Sequence, residues 1–193
     1  MNPGFDIMIV GIGGQGTILA SNVLGEACLI EGRSVRGAET HGMAQRGGSV
    51  ESQIRIGGIH GPLIVPGTAD LLIAFDLLEA VRYRHFLKPG RKMIVNSQLV
   101  LPTSAFTSEQ AILTAADITD MLSGPETTIV DATAIATAAG SPLAANIALL
   151  GAASHAIPLD TESLLEGVRR CVPQKTIAIN EQAFLDGRAV LQP

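Results

Sequence analysis

Tryptophan is absent from this 193-residue chain, tyrosine occurs once and phenylalanine five times. Aromatic residues make up 3% while hydrophobic residues make up 47%, so any core must be aliphatic. Without aromatic platforms the chain has nothing on which single-stranded bases could stack. Positive charge is scarce as well: 13 Lys and Arg against 18 Asp and Glu give a net charge of −5, which excludes the basic footprint of a nucleic-acid binder. No apolar run approaches the roughly 18 residues of a membrane span. The start, Met1-Asn2-Pro3-Gly4-Phe5-Asp6, has neither a basic region nor a long apolar one, so no signal peptide is expected. Only two cysteines occur, Cys28 and Cys171, in apolar helical patterns and outside any C-x-x-C pair. They read as reduced core thiols of a cytoplasmic protein, and such a pair cannot ligate an iron–sulfur cluster or a thiolate zinc site.

Glycine is plentiful, and its placement is informative. Asp6 to Val10 is a short apolar run that reads as a buried strand, and Gly11, Gly13, Gly14 and Gly16 follow at once. A helical pattern then begins at Thr17, giving strand, glycine turn and helix with the spacing G-x-G-x-x-G. Such a turn lets a ligand or another backbone approach closely, and the N–H groups opening the helix suit an anion. It also serves as a plain βα turn.

From Thr17 to Glu31, Leu19, Val23, Ala27 and Ile30 recur at helical spacing, with Gly32 in position to end the helix. Arg33 to Arg36 reads as a second strand. Gly37 to Gly48 is polar and aperiodic and reads as a loop. Ser49 to Ile56 alternates strictly, with Val50, Ser52, Ile54 and Ile56 on one face, and predicts a half-exposed antiparallel strand. Ile59 to Val65 is its expected partner. Ala69 to Phe75 predicts a central parallel strand, Asp76 to Glu79 a helix start of capping-box spacing, and Arg91 to Asn96 a strand after the turn at Pro89-Gly90. Leu101 to Gly124 shows no clear pattern. Thr127 to Asp131 predicts the last core strand, and helices are expected over 132–139, 143–156, 161–172 and 174–190, with Pro142 in a first turn and Asp160 as an N-cap. The alternation predicts one α/β domain over residues 1–193: a doubly wound, mostly parallel sheet with an antiparallel hairpin and a helical C-terminal part.

Several chemistries can be weighed on these residues. A dinucleotide site wants an acid after the second strand; Glu39 lies near the required distance but in a polar stretch. A stand-alone Rossmann-like dinucleotide module therefore stays open. A P-loop fails, because Thr17 occupies the position of its lysine. Ser49, His41 and Glu39 lack the elbow and the geometry of a hydrolase triad. Loops following neighbouring strands open at one sheet edge, which would bring the 11–17 turn beside 37–48 and Arg46. Arg46 could then offer a fork to a phosphate or carboxylate, or pack against a partner chain.

Gly13-Gly14-Gln15-Gly16 and the string Glu39-Thr40-His41-Gly42-Met43-Ala44-Gln45-Arg46-Gly47-Gly48-Ser49-Val50 carry a family resemblance. They resemble the gamma-type module of 2-oxoacid:ferredoxin oxidoreductases, with likeness to the beta subunit of indolepyruvate oxidoreductase. The likeness continues through 66–70, 75–80, 146–151 and 180–184. It implies a chain that is inactive alone and lacks its own redox centre and catalytic residues. A large partner subunit would carry thiamine diphosphate and [4Fe-4S] clusters, decarboxylate an aryl-2-oxoacid and pass electrons to ferredoxin, yielding an acyl-coenzyme A. The implied contact set for coenzyme A or the partner is Gly11, Gly13, Gly14, Gln15, Gly16, Thr17, Glu39, His41, Gln45, Arg46, Gly47 and Gly48. No metal site is expected in this chain.

Overall fold

The computed structural model describes residues 4–42, 48–57, 61–102, 105 and 113–191. Six strands form one sheet: β1 (Phe5–Ile12), β2 (Val35–His41), β3 (Ser49–Ile56), β4 (Ala69–Ala74), β5 (Leu87–Asn96) and β6 (Thr127–Val130). Their order is β2-β3-β1-β4-β5-β6. The pairs β1–β4, β4–β5 and β5–β6 are parallel, while β3 runs antiparallel to both β1 and β2. The expected doubly wound α/β sheet with an antiparallel hairpin is what the chain forms.

Strand alternation sorts the side chains into two cores. Ile7, Ile9, Ile54, Ile56, Leu71, Ile73 and Ile94 face one layer, and Met8, Val10, Leu72, Ala74, Met93 and Val95 the other. The first layer holds α1 (Thr17–Ile30), α4 (Ala132–Ala138), α5 (Ala145–Ala153), α6 (Thr161–Cys171) and α7 (Ile177–Val190). The second holds α2 (Leu77–Tyr83) and α3 (Ala115–Leu122). Each wholly buried Ile or Leu contributes on the order of 1.5–3 kcal/mol of transfer free energy.

In the first layer, glycines let helices meet backbone to backbone. A Cβ on Gly151 of α5 would overlap the Phe184 carbonyl of α7, and one on Gly187 of α7 would overlap the Ala148 carbonyl of α5. At Gly167 of α6 it would come within 2.7 Å of the Val23 carbonyl on α1. Helix α1 ends as the sequence predicts: Gly32 takes φ 66°, its N–H reaches the Leu29 carbonyl, and the Arg33 N–H reaches that of Cys28. These are the two bonds of a Schellman ending. Asp76 caps α2, accepting from the N–H groups of Leu78 at 2.8 Å and Glu79 at 3.3 Å. Asp160 sits before α6 without a side-chain capping bond, and Glu79 turns away from its own helix start.

Four expectations are corrected. Residues 37–41 belong to β2 rather than to a loop; as an edge strand, β2 has no need of the apolar period that would have revealed it. β1 runs through Gly11 and Ile12 before the turn. β5 begins at Leu87 rather than Arg91, accommodating Pro89-Gly90 in an irregularity opposite Ala69–Leu71. Of the expected partner strand Ile59 to Val65, residues 59 and 60 lie outside the described residues, and 61–65 crosses the polar face of β3 without forming a strand. There Arg55 donates to the carbonyls of Gly61 at 3.0 Å and Leu63 at 2.9 Å, and Gln53 accepts from the Ile64 N–H at 2.5 Å. That face is therefore covered, and Gln53 is buried.

Candidate functional site

The carboxyl ends of β1, β4, β5 and β6 point to one edge, where ligands of open α/β sheets bind. The glycine turn after β1 is built for that edge. Gly14 and Gly16 take φ 102° and 84°, a region that side-chain-bearing residues avoid. A Cβ on Gly16 would also collide with the Asn146 amide. Gly11, still within β1, is bare for another reason. A Cβ there would sit 2.8 Å from Gln15 Oε1, so its absence makes room for that side chain.

Gln15 ties the edge together. Its Oε1 accepts from the Ile12 N–H at 2.8 Å, and its Nε2 donates to the Phe75 carbonyl at 3.4 Å and to Gln98 Oε1 at 3.5 Å. Asn96 at the end of β5 completes the knot, donating to the same Phe75 carbonyl at 3.3 Å and accepting from the Ala132 N–H at 3.1 Å. Thr17 is buried as the first residue of α1. Gly16, the N-cap, offers no side-chain cap and the first turn holds no acid, so the positive end of α1 suits an anion.

The turn does meet the 37–48 segment, though not by the expected route. β2 is not beside β1; β3 lies between them, and the register Ile12↔Ser49 brings the start of β3 to the turn. The Gly13 N–H donates to the Gly48 carbonyl at 2.9 Å. Gln45, Arg46 and Gly47 lie outside the described residues, as does the His41 side chain.

Glu39 is separated from this edge. Its Oε1 accepts from Ser21 Oγ of α1 at 2.9 Å, and it lines a groove of about 600 Å³ between α1 and β2, with Gly25, Glu26, Leu29 and Cys171 among the walls. The turn instead faces a smaller cavity of about 270 Å³, lined by Gly14, Gln15, Phe75, Asn96, Gln98, Thr133, Pro142, Leu143, Ala145 and Asn146. Among the described residues no ionisable side chain lines it. The larger volume belongs to the groove, but the smaller cavity has the converging polar groups at the strand ends. It is therefore the better candidate site.

Ser49 and Glu39 are not partners. Ser49 Oγ reaches Glu79 Oε2 at 2.6 Å and Tyr83 OH at 3.2 Å on the α2 face, whereas Glu39 lies on the α1 face. The buried Glu79 is neutralised by Arg82 at 2.7 Å. The sheet thus separates Ser49 from Glu39 and rules out their joint use as a nucleophile set. Burial pushes the Tyr83 phenol up, with the Glu51 and Glu79 carboxylates adding to the shift. Burial likewise pushes the Cys28 thiol up to about 11, so it stays protonated and inert. Among the described residues no group of three or more His, Cys, Asp or Glu side chains is placed to share a metal ion, and no described helix is long and apolar enough to cross a membrane.

Asn96, Gln98, Thr133, Leu143 and Asn146 were absent from the sequence-based set. Asn96 and Gln98 did leave a signal, because a polar residue ending an apolar parallel strand faces the binding edge. Asn146 fell within the family likeness at 146–151 but gave no sign of a site, since it reaches the turn through the packing of α5, and Leu143 in the helical turn before α5 left none.

Comparison with known proteins bears on this geometry. Residues 6–190 match the family model described as pyruvate ferredoxin/flavodoxin oxidoreductase. The chain is 37% identical over 187 residues to a Methanothermobacter thermautotrophicus protein named indolepyruvate oxidoreductase subunit IorB, covering 95% of each. The gamma subunit of a keto/oxoacid ferredoxin oxidoreductase from Geobacter sulfurreducens superposes with a TM-score of 0.70 at 26% identity, covering 95% of both chains. A 2-oxoglutarate:ferredoxin oxidoreductase from Magnetococcus marinus, solved with 2-oxoglutarate, coenzyme A and succinyl-CoA bound, shares the fold with a TM-score of 0.72 at 20% identity; the match covers 98% of this chain and 31% of that one.

Proposed function

The chain belongs to the pyruvate ferredoxin/flavodoxin oxidoreductase family, and on that premise we propose that it is the subunit without a redox centre of an indolepyruvate (aryl-2-oxoacid):ferredoxin oxidoreductase. The observation that carries this reading is the 37% identity to subunit IorB across 95% of both chains. A large partner subunit holds thiamine diphosphate and the iron–sulfur clusters and performs the decarboxylation and electron transfer. The two cysteines of this chain stand in no C-x-x-C pair, which suits a subunit that leaves the clusters to its partner.

The part of this chain is to complete the partner's site from the carboxyl edge of its sheet. We assign contact with coenzyme A or the partner to Gly13, Gly14, Gln15, Gly16 and Gly48, together with His41, Gln45, Arg46 and Gly47 on the adjoining segment. The backbone N–H groups opening α1 and the guanidinium of Arg46 suit the phosphates of coenzyme A. Gly11 and Thr17 support the turn from below. Glu39, bound to Ser21, acts apart from this set. β3 between β1 and β2 also weighs against a dinucleotide module, since it carries the acid away from the turn.

The test is reconstitution. Co-expressed with a large subunit bearing thiamine and cluster motifs, the chain should co-purify and support indolepyruvate-dependent, coenzyme A-dependent reduction of a viologen. A rate unchanged when this chain is omitted would sink the proposal. Arg46→Lys in the assembled complex should raise the KM for coenzyme A about tenfold while leaving assembly intact, because a bidentate fork is lost.

A further inference from the structure

We infer that the free edge of β2 is a docking site for an extended segment of another protein chain. The guest adds to the sheet as a seventh strand and turns a basic and a large aliphatic side chain into the groove of about 600 Å³ between β2 and α1. This surface lies apart from the glycine turn, and the inference stands without the oxidoreductase reading.

Backbone direction is the first constraint. The Gly42 N–H donates to the Ser49 carbonyl at 3.2 Å and the Gly57 N–H to the Ser34 carbonyl at 2.9 Å, one bond at each end of the β2–β3 ladder. The register between them is unbroken, from Val35↔Ile56 to His41↔Val50. Hydrogen-bonded pairs alternate along an antiparallel ladder, so the even-numbered residues of β2 bond to β3. Val35, Gly37 and Glu39 therefore turn their N–H and C=O groups outward, where no described strand lies. Neither proline nor a bulge guards this edge, two of the devices that keep a free strand from pairing. An edge so left is a template for strand addition.

The groove beside that edge fixes the guest's side chains. Positions 35, 37 and 39 share the face towards α1: Val35 packs on the core of that layer and Glu39 reaches Ser21. Gly37 between them is bare, and across the groove a Cβ on Gly25 of α1 would stand in open space. The two glycines leave a notch over Ile54 beside Leu29, which is 62% exposed. A large aliphatic side chain fills the notch and covers Leu29. Glu26 on the far wall is met by Arg170 at 3.5 Å, whereas no described Lys or Arg pairs with Glu39. Glu39 thus selects a basic side chain. Directly opposite residues of an antiparallel pair share a face, so the guest reads Lys or Arg opposite Glu39, any residue, then a large aliphatic residue opposite Gly37. A second copy does not meet this need. Two β2 strands related by a two-fold axis would face positions 35, 37 and 39 with the same three residues, adding a carboxylate and no cation.

The probe is a fluorescein-labelled, C-terminally amidated peptide, Thr-Lys-Thr-Leu-Thr-Val-Thr, titrated with the full-length chain by fluorescence anisotropy. It should bind. N-methylation of its Leu, whose N–H points at Gly37, should weaken binding about tenfold or more, while N-methylation of the following Thr, whose N–H points away, should change it by less than about twofold. Replacing the peptide's Lys with Glu should weaken binding about threefold, and Glu39→Lys in the chain should reverse that preference. Gly25→Leu fills the notch from α1 without meeting a neighbour at its Cβ; it should weaken binding about tenfold while thermal stability stays level or rises. The inference is overturned if the peptide does not bind, if the two N-methylated peptides bind alike, or if Gly25→Leu, shown folded by circular dichroism, binds as tightly as the wild type. It is equally overturned if sedimentation finds a dimer of the chain that Gly25→Leu dissolves, since a second copy would then occupy the edge.

Discussion

On the face of the sheet that carries α1 and α4–α7, aliphatic side chains and bare glycines make the main contacts between helices, with a few buried polar side chains such as Ser52, Asn146 and Asn180 set among them. On the face that carries α2 and α3, the half over β3 is held by charged and amide contacts instead. Arg55 grips Asp6 with two bonds of 3.0 Å, Gln53 pins residue 64, and Glu79 holds Ser49. The first face is specified by volume and cannot accept an added atom. The second is specified by pairing and suffers when one partner of a pair is lost. Of these contacts only Ser49–Glu79 lies beside the glycine turn, since Arg55 and Asp6 pair at the opposite end of β1.

The contrast is sharpest at the α5–α7 crossing. Gly187→Ala forces a methyl against the Ala148 carbonyl, with rigid backbone on both sides, and should lower unfolding free energy by about 3 kcal/mol or more in urea denaturation. An effect under about 1 kcal/mol would show that the helices can separate freely. On the opposite face, Arg55→Ala leaves the buried Asp6 carboxylate unpaired and the carbonyls of Gly61 and Leu63 without their donor. It should cost about 2–3 kcal/mol, and an additional Asp6→Asn should recover part of that loss, which a double-mutant cycle measures.

The smallest expected effect concerns Asp76. Burial raises its pKa above 3.8, against hydrogen bonds from Val100, Glu79 and Leu78 that pull it down. Ionising it therefore costs the folded chain more than the unfolded one. Its stabilising share is complete below pH 3.8 and is lost as pH rises through the raised folded value. Asp76→Asn keeps an acceptor for the cap without the charge, so wild-type stability minus variant stability should decline as pH rises across that window. Asp76→Ala, which removes the cap, should cost about 1–2 kcal/mol at neutral pH. A flat difference between wild type and Asp76→Asn would contradict the assigned cause of the shift.

The parts of the fold legible in sequence were those where burial imposes a period. β1 and β4, enclosed on both faces, wrote apolar runs interrupted only by Asp6 and Asp70 near their starts, and the C-terminal helices emerged within a few residues of their expected bounds. β2 was hidden because Arg36, Gly37, Glu39 and Thr40 lie on an edge strand with much of their surface open to solvent, where nothing requires alternation. The 59–65 stretch deceived in the opposite sense: Ile64 is buried, but backbone carbonyls of the segment serve Arg55 rather than a neighbouring strand. Of the candidate site, Gly13, Gly14, Gln15 and Gly16 were legible as a turn. Their connection to Gln98 and Asn146 was not, since it depends on where α5 packs and which strand ends lie together.

The position of β1 has a further consequence for how the chain assembles. Its two neighbours in the sheet, β3 and β4, both follow it in sequence, and β4 ends only at Ala74. A chain emerging from the ribosome through α1 holds one of its two middle strands with no partner on either side. Pairing it requires closing loops across roughly forty and sixty residues, the non-local step that slows folding. Until then Ile7, Met8, Ile9 and Val10 can be sheltered only by the helix that follows them. The glycine turn, which packs α1 back onto β1, is thus also the first device that keeps the nascent segment from joining a stray edge.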